Sequence, residues 1–272
     1  MDAEELLAGG GVVALTGAGM STDSGIPDYR GPGTPRRSPM TFQDFTRSER
    51  GRQRYWARSH VGWHRMAGAE PNDGHRALAA LGRTGLVTAV ITQNVDELHR
   101  VAGSPGVIDL HGTLSQVVCL DCSERTPRAR LHARLTALNP GWDERDDLGS
   151  ADIAPDGDVE LDDTAGFVMA PCERCGGVLK PDVVFFGENV PAERVARCYA
   201  LVEAARVLLV AGTSCTVFSG RRFVARAARD GIPVIVLNRG PTRAADLATV
   251  HLDAGCSAVL TGWSQSLAES RA

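Results

Sequence analysis

Four of the seven cysteines form two Cys-x-x-Cys pairs, a spacing at which two thiolates can bind one metal ion. The pairs are Cys119 with Cys122 and Cys172 with Cys175, and 49 residues lie between them. Closing this loop costs little free energy compared with the binding of structural zinc, so the long separation is no objection. Because thiolates fill all four positions, the predicted zinc site is structural. The alternative is that the pairs are redox-active or unrelated thiols.

A glycine-rich turn follows an apolar run near the start of the chain. The run GVVALT (11–16) leads into Gly17 and Gly19. Glycine permits positive φ angles and lets backbone N–H groups approach a pyrophosphate closely. The third glycine and the later acidic residue of the dehydrogenase fingerprint are missing. The turn therefore predicts a dinucleotide site and argues against an ordinary dehydrogenase.

Polar residues also stand at the ends of four other apolar runs. The carboxyl ends of parallel strands are where ligands bind in an α/β sheet, so these residues are candidates for one site. They are Gln93, Asn94, Asp96, His111, Thr213, Ser214, Asn238 and Arg239. His111 is the best candidate for a general base, because the ordinary imidazole pKa lies near neutrality. We place His99 on a helix surface and assign structural or exposed roles to His60, His64, His75, His132 and His251.

Alternating strands and helices are predicted to position these residues. Segments 75–85, 191–206 and 219–231 have helical spacing, with proline or glycine near their ends. The alternation predicts an α/β fold with a doubly wound parallel, Rossmann-like sheet, joined by a smaller zinc-binding module and a helical insert. The predicted strands are 11–16, 86–92, 106–111, 181–186, 207–212 and 233–238.

The motifs divide the chain into three predicted parts. Residues 1–36, 76–117 and 179–272 form the dinucleotide-binding domain, residues 37–75 the helical insert, and residues 118–178 the zinc-binding module. Within the module, residues 143–163 are rich in Asp and Glu and are predicted to be an acidic loop, whose role stays open.

Composition narrows the class of protein. The chain has 272 residues and a formal net charge of −4, so a general nucleic-acid or anionic-membrane surface is not expected. Its acidic beginning lacks the features of a secretion signal, and no apolar run approaches the ~20 residues that span a bilayer. We expect a cytoplasmic protein.

Taken together in chain order, the motifs resemble those of the sirtuins. The matching strings are GAGMSTDSGIPDYR, TQNVDELH, the His-Gly of LHGT, CLDC with CERC, KPDVVFFGE, GTS and NRGPT. The strings GIPDYR, RQRYWAR, LNPGW, APDGDV and LKPDVVFFGE are similar to the branch that holds the mitochondrial class II sirtuins. We therefore expect a class II sirtuin, a bacterial-type cytoplasmic relative of that branch.

The resemblance implies an NAD-dependent protein-lysine deacylase with one structural zinc ion. In the family mechanism the acyl oxygen of an acyl-lysine attacks the ribose as nicotinamide leaves. His111 then acts as the base that lets the ribose 2′-hydroxyl attack, and Asn94 orders this ribose. The products are free lysine, nicotinamide and 2′-O-acyl-ADP-ribose. The alternatives are a protein mono-ADP-ribosyltransferase with the same NAD site, an NAD-sensing binding module and, least favoured, an oxidoreductase. We expect a monomer whose partners are acylated proteins.

The same resemblance assigns NAD-binding residues. Ala18, Gly19, Thr22 and Arg30 would line the pyrophosphate and ribose, while Ile26 and Asp96 would hold the nicotinamide carboxamide. Gly212, Thr213, Ser214, Asn238, Arg239 and Cys256 would surround the adenosine half, although Cys256 could instead be a buried small residue. The full set also includes Gly17, Ser21, Pro27, Asp28, Tyr29, Gln93, Asn94, Val95 and Gly240.

Substrate-binding residues come from two other strings. Val183, Phe186, Gly187 and Glu188 match the stretch against which the substrate peptide pairs as an added strand. Tyr55 and Arg58 have the Tyr-x-x-Arg spacing that receives an acidic acyl chain in some sirtuins, and one helical turn would put both on one face. An ordinary helix face with a solvated arginine is the alternative. Tyr29 stands where many sirtuins have Phe.

Overall fold

The computed structural model describes residues 2–31, 39–142, 154–159, 161 and 163–270. Much of the acidic stretch 143–163 therefore lies outside the described residues. The chain forms two compact units, the first made of Met1–Arg36, Glu70–Leu110 and Val190–Ala272 and the second of Arg37–Ala69 and His111–Asn189.

The first unit contains a six-stranded sheet in which every strand pairing is parallel. With strands numbered along the chain, its members are β1 (Val12–Thr16), β2 (Val87–Thr92), β3 (Ile108–Asp109), β7 (Val207–Ala211), β8 (Val234–Leu237) and β9 (Val250–Leu252). Their order across the sheet is β3-β2-β1-β7-β8-β9. The strand order reverses between β1 and β7, which is where doubly wound sheets bind dinucleotides. The predicted parallel, Rossmann-like sheet is confirmed.

Helices cover both faces of this sheet, which explains why β1, β7 and β8 are apolar runs buried along their whole length. Val12 and Ala14 of β1 point into one hydrophobic core, and Val13 and Leu15 point into the other. The helices are α1 (Ala3–Ala8), α4 (Asp73–Arg83), α5 (Leu98–Val101), α7 (Ala192–Ala204), α8 (Phe218–Arg229) and α9 (Cys256–Glu269).

The second unit contains an antiparallel sheet of three strands in the order β5-β4-β6. The strands are β4 (Gly112–Cys119), β5 (Arg125–Pro127) and β6 (Leu179–Val183), and the helices are α2 (Phe42–Arg47), α3 (Glu49–Ala67) and α6 (Arg128–Leu138). Phe45 of α2 packs against Phe185 in a tilted arrangement and Tyr55 of α3 packs against it edge-to-face, with ring centroids 5.3 and 5.2 Å away. The segment predicted as a helical insert therefore packs with the end of the 111–189 segment.

The apolar run 181–186 was predicted to be a strand of the parallel sheet, and that placement is wrong. Its first residues belong to β6, which pairs antiparallel with β4 in the second unit. A continuous apolar run indicates a buried strand but does not indicate its neighbour. In the first unit, β9 completes the sheet instead, and its half-exposed residues give no such run.

Among the described residues, no helix combines the length and the apolar composition that crossing a bilayer requires.

Candidate active site and metal centre

The loops that follow the two central strands β1 and β7 interlock. The Gly19 N–H donates to the Gly212 carbonyl at 2.8 Å, and the Gly17 N–H donates to the Ala211 carbonyl at 3.2 Å. A Cβ atom at Gly17 would lie 2.6 Å from the Cβ of Thr213, which no side chain tolerates. Gly17 is therefore needed for this close approach.

Close backbone approach, and not a positive φ angle, accounts for the glycines at positions 17 and 19. Gly17 is extended, with φ of −141°, and Gly19 is not among the residues with positive φ. Gly212 has φ of 63° instead, and a Cβ there would lie 2.4 Å from the Met20 nitrogen. The left-handed conformation thus occurs in the loop after β7, which packs against the glycine-rich turn.

Asn94, which follows β2, is held by the glycine-rich turn. Its Nδ2 donates to the Gly17 carbonyl at 3.0 Å and to the Ser21 Oγ at 2.9 Å, and its backbone N–H donates to Thr92 Oγ1. Both amide hydrogens are therefore used inside the protein. This fixes the orientation of the side chain and leaves its Oδ1 as an acceptor for a ligand hydroxyl.

Asp96 closes the same hydrogen-bond network. Ser21 Oγ donates to Asp96 Oδ2 at 2.7 Å, and the Leu98 N–H donates to Asp96 Oδ1 at 2.9 Å. Burial raises the pKa of Asp96, while these two donors act in the opposite direction. The predicted residues Ser21, Asn94 and Asp96 thus form one connected group at the ends of β1 and β2.

The segment from Thr22 to Gly31 follows Ser21 in the chain and contains further residues of the predicted NAD-binding set. Ile26 is buried next to Gly25, whose φ is 81°. Asp28 Oδ1 accepts from the backbone N–H groups of Arg30 and Gly31 and so closes a tight turn. Arg30 and Thr22 are exposed, and the half-buried members of the predicted set here and nearby are Ala18, Gly19, Pro27, Asp28, Tyr29, Gln93 and Val95.

Residues predicted for the adenosine half follow β7 and β8. Gln93 Nε2 donates to Thr213 Oγ1 at 3.1 Å and thereby joins the loop after β2 to the loop after β7. Asn238 Nδ2 donates to the carbonyls of Arg239 and Gly240, which shapes the turn after β8. Ser214 Oγ bonds with Thr216 Oγ1 at 3.1 Å. These loops meet the requirement of a ligand site at the carboxyl ends of the strands.

Cys256 is the first residue of α9 and is buried. Burial raises the pKa of its thiol to about 12, so the side chain is neutral at physiological pH. A neutral buried thiol packs as a small apolar group. Cys256 belongs to the hydrophobic core on one face of the parallel sheet, in agreement with the alternative of a buried small residue.

The structure corrects the placement of His99. This residue was predicted to lie on a helix surface, but it is only 1% exposed, and its Nε2 bonds with Thr16 Oγ1 at 2.9 Å. Its ring packs edge-on against His75, with centroids 4.7 Å apart. Burial lowers the pKa of His75 to about 4, so this residue is neutral at physiological pH. Sequence reasoning missed this pair because helical spacing alone does not show that the short helix α5 faces the core.

His111 begins the second unit and is half-buried. Its backbone carbonyl accepts from the Val184 N–H at 2.7 Å, and the next residue, Gly112, pairs with Val183. The candidate base is thus tied by its backbone to the stretch that holds Val183, Phe186, Gly187 and Glu188.

Tyr55 and Arg58 lie in the interior of the second unit. The Tyr55 ring packs between Phe45 and Phe185 at 5.5 and 5.2 Å. The Arg58 Nε lies 2.9 Å from Asp158 Oδ1 and also donates to the Val159 carbonyl. Arg58 therefore already has a carboxylate partner inside the protein, contrary to a solvated arginine. Sequence reasoning missed Asp158, which stands 100 residues further along the chain.

The four predicted cysteines form one cluster. The Sγ atoms of Cys119, Cys122, Cys172 and Cys175 all lie within 4.8 Å of one another. The pairs Cys119–Cys175 and Cys122–Cys172 are separated by 3.5 and 3.8 Å. Tetrahedral zinc with Zn–S bonds of about 2.3 Å places its sulfur ligands about 3.8 Å apart, so the cluster fits this ion. The predicted zinc-binding residues are confirmed as a group that fits one structural zinc ion.

The sequence of this chain was compared with protein families and with individual known proteins. The sequence profile of the Sir2 family matches residues 17–219, which is more than half of the chain. The NAD-dependent protein deacetylase 1 of Mycobacterium avium (strain 104) is 56% identical over 94% of this chain and 91% of that protein. The NAD-dependent protein deacetylase 1 of Streptomyces coelicolor is 54% identical over 91% of this chain and 83% of that protein.

Solved structures give the same result. A complex described as Sir2, p53 peptide and NAD+ superimposes with a TM-score of 0.74 and 29% identity, and covers 98% of this chain and 96% of that one. A Sir2 homologue mutant bound to ADP-ribose has a TM-score of 0.78 and 28% identity, over 100% and 98% of the two chains. The family profile, the identities and the fold agree, and the chain belongs to the Sir2 family.

Proposed function

We propose that this protein is an NAD-dependent protein-lysine deacetylase that transfers the acyl group from lysine to ADP-ribose and releases nicotinamide. The observation that carries the proposal is the hydrogen-bond network of Asn94, Ser21 and Asp96 against the Gly17 carbonyl. It holds an amide acceptor and a carboxyl group at the carboxyl ends of β1 and β2, beside the interlocked glycine loops. Relatives more than 50% identical that are named NAD-dependent protein deacetylases support the same reaction.

The first unit has the features that NAD requires. Loops after β1 and β7 meet at the point where the strand order reverses, and polar residues follow β2 and β8. When bound, NAD supplies a ribose carbon whose bond to nicotinamide can be broken. Asn94 Oδ1 would accept from a ribose hydroxyl, and Asp96 with Ile26 would hold the nicotinamide carboxamide. The loops that carry Gly212, Thr213, Asn238 and Arg239 would hold the adenosine half.

His111 is the proposed general base. Its imidazole would take the proton from a ribose hydroxyl, which can then attack the acyl carbon. The backbone of His111 is held by Val184, so the base is supported by the protein before any substrate binds. Cys119, Cys122, Cys172 and Cys175 would hold a zinc ion through four thiolates, which would leave no open position for a substrate, so the ion would have a structural role.

The acylated lysine is proposed to arrive on an extended peptide. β6 is an edge strand of the three-stranded sheet, and an extended peptide can add to such an edge. Val183, Phe186, Gly187 and Glu188 lie at the end of β6 and directly after it. The internal pairing of Arg58 with Asp158 argues for acetyl or another uncharged acyl group over an acidic one.

Transfer of ADP-ribose to a protein side chain is the less favoured alternative, because the relatives named above are deacetylases. Four further proposals rest on the sequence alone. They are membership of the class II branch, a cytoplasmic location, a monomeric state, and the absence of nucleic-acid and membrane partners.

The proposal is tested by incubating the purified protein with an acetyl-lysine peptide, with and without NAD. The expected result is free lysine peptide only when NAD is present, together with released nicotinamide. Peptide deacetylated equally without NAD would contradict the proposal. Nicotinamide release with ADP-ribose on protein, and no deacetylated peptide, would support the transferase alternative.

A further inference from the structure

Lys180 of β6 carries an ammonium group inside the second unit. The residue is 3% exposed, and its Nζ lies 3.0 Å from Glu188 Oε2. The same Nζ donates to the carbonyls of Pro181 and Val183 and lies 4.8 Å from the centre of the Phe185 ring. Burial lowers the pKa of Lys180, and Glu188 opposes this effect. A buried ammonium persists only with such partners, so these contacts are tightly specified.

Glu188 uses the same carboxylate to close a turn. The Phe185 N–H donates to Glu188 Oε2 at 2.9 Å, and the Glu188 N–H donates back to the Phe185 carbonyl at 3.0 Å. Gly187 stands inside this turn with φ of 76°. Glu188 Oε2 and the Glu188 N–H are therefore both occupied within the loop that this residue closes.

The turn closed by Glu188 is continuous with the backbone of His111. Val183, whose carbonyl accepts from Lys180, pairs with Gly112, and the Val184 N–H donates to the His111 carbonyl. Gly112 has φ of 82°, and a Cβ there would lie 2.0 Å from the Asp182 carbonyl oxygen. The connection between the turn and His111 thus consists of tightly packed backbone.

We propose that Lys180 and Glu188 form a positioning pair that sets both the peptide-binding stretch 183–188 and the backbone of His111. Neither side chain touches the reacting atoms in this proposal. The inference rests on the proposed function, in which residues 183–188 receive the peptide and His111 is the base. It adds two residues that determine how well an acylated peptide is bound and presented.

The first experiment compares Lys180→Met with the wild type in steady-state deacetylation of an acetyl-lysine peptide. We expect KM for the peptide to rise by about tenfold or more and kcat to fall, because the turn loses its central donor. The pH profile of kcat is expected to shift, because His111 is held less firmly. The dissociation constant for ADP-ribose should change by less than about twofold, since the residues proposed to bind it lie in the first unit.

Two further variants separate positioning from folding. Lys180→Met/Glu188→Leu replaces the ion pair with apolar side chains, which is often neutral or favourable for stability. We expect this double variant to regain the wild-type melting temperature and zinc content but to keep the raised KM. The matched control is Arg125→Met, because Arg125 makes an exposed ion pair with Asp182 on the same sheet. Its kinetics should equal those of the wild type.

Wild-type KM, kcat and pH profile in Lys180→Met would overturn the inference. Recovery of both the melting temperature and the peptide KM in the double variant would also overturn it, because the pair would then be structural only. If the wild type itself forms no deacetylated peptide, the proposed function fails instead. Peptide affinity by fluorescence anisotropy then decides the inference, which predicts weaker binding by Lys180→Met than by the wild type.

Discussion

Arg58 and Asp158 form a buried ion pair in the second unit. The Arg58 Nε and Asp158 Oδ1 are 2.9 Å apart, and the two side chains are 10% and 7% exposed. The Arg58 guanidinium also donates to the Val159 carbonyl. Burial raises the pKa of Asp158 to about 7, and Arg58 acts in the opposite direction. Arg58 therefore supports the segment 154–159 and has a carboxyl partner inside the protein.

This pair predicts the outcome of Arg58→Met. The free energy of unfolding should fall by about 3–5 kcal/mol, because Asp158 becomes a buried carboxyl group without its partner. The ratio of kcat/KM for acetyl-lysine to that for succinyl-lysine peptides should stay unchanged. Urea unfolding and steady-state kinetics measure the two effects.

A fall in succinyl-lysine turnover relative to acetyl-lysine in Arg58→Met would show that Arg58 does receive an acidic acyl chain. Arg58→Met/Asp158→Leu is the matched control. It should recover much of the lost stability, because it replaces both charges with apolar groups.

His75 predicts a pH dependence of stability. Burial lowers its pKa from 6.5 to about 4, so between these values the unfolded chain binds a proton that the folded chain does not. Above pH 6.5, His75 is neutral in both states and does not lower the free energy of unfolding. As the pH falls from 6.5 toward 4, protonation of His75 in the unfolded chain lowers the free energy of unfolding by up to about 3 kcal/mol. The free energy of unfolding measured from pH 7 to pH 4 should fall accordingly.

His75→Gln is the matched variant for this test. Glutamine keeps an acceptor for the Asn72 N–H, which His75 Nδ1 now accepts at the start of α4, but it does not titrate. The variant should lose less stability than the wild type between pH 6.5 and pH 4. An identical pH dependence in both proteins would contradict the assignment.

Gly17→Ala tests the interlocked loops. Its Cβ would stand 2.6 Å from the Cβ of Thr213, so the loops after β1 and β7 must separate. We expect the affinity for ADP-ribose to fall by about tenfold or more, measured by isothermal titration calorimetry.

Gly262→Ala is the control glycine for this prediction. Gly262 lies within α9, and a Cβ there would meet nothing within 4 Å. The substitution should raise the free energy of unfolding by about 0.5–1 kcal/mol and leave ADP-ribose binding unchanged. Unaltered binding in Gly17→Ala would show that the close approach is not needed for the site.

Much of the parallel sheet could be predicted because β1, β2, β7 and β8 are continuous or nearly continuous buried runs. β4 was missed, because its burial is irregular along its length and gives neither a continuous run nor a clean alternation. The cysteine cluster could be predicted from spacing alone, since the two Cys-x-x-Cys pairs already supply four thiolate ligands. The partners of Arg58 and Lys180 could not be predicted from the sequence, because they depend on which loops the fold brings together.

The cysteine cluster predicts one zinc ion per chain, measured by inductively coupled plasma mass spectrometry. Cys119→Ser should lose the ion and lower the melting temperature, because structural zinc contributes folding free energy directly. Cys198→Ser is the control, since Cys198 is buried in α7 outside the cluster. Zinc retained at wild-type content and affinity in Cys119→Ser would contradict the site.

The central claim is that the acyl group moves from lysine to ADP-ribose with His111 as the base. The most direct measurement is quantitative mass spectrometry of the products of the wild type and of His111→Tyr, with an acetyl-lysine peptide and NAD. We predict equal amounts of free lysine peptide, nicotinamide and acetyl-ADP-ribose from the wild type, and loss of acetyl-ADP-ribose in His111→Tyr. Free acetate without acetyl-ADP-ribose from the wild type, or full product formation by the variant, would contradict the account.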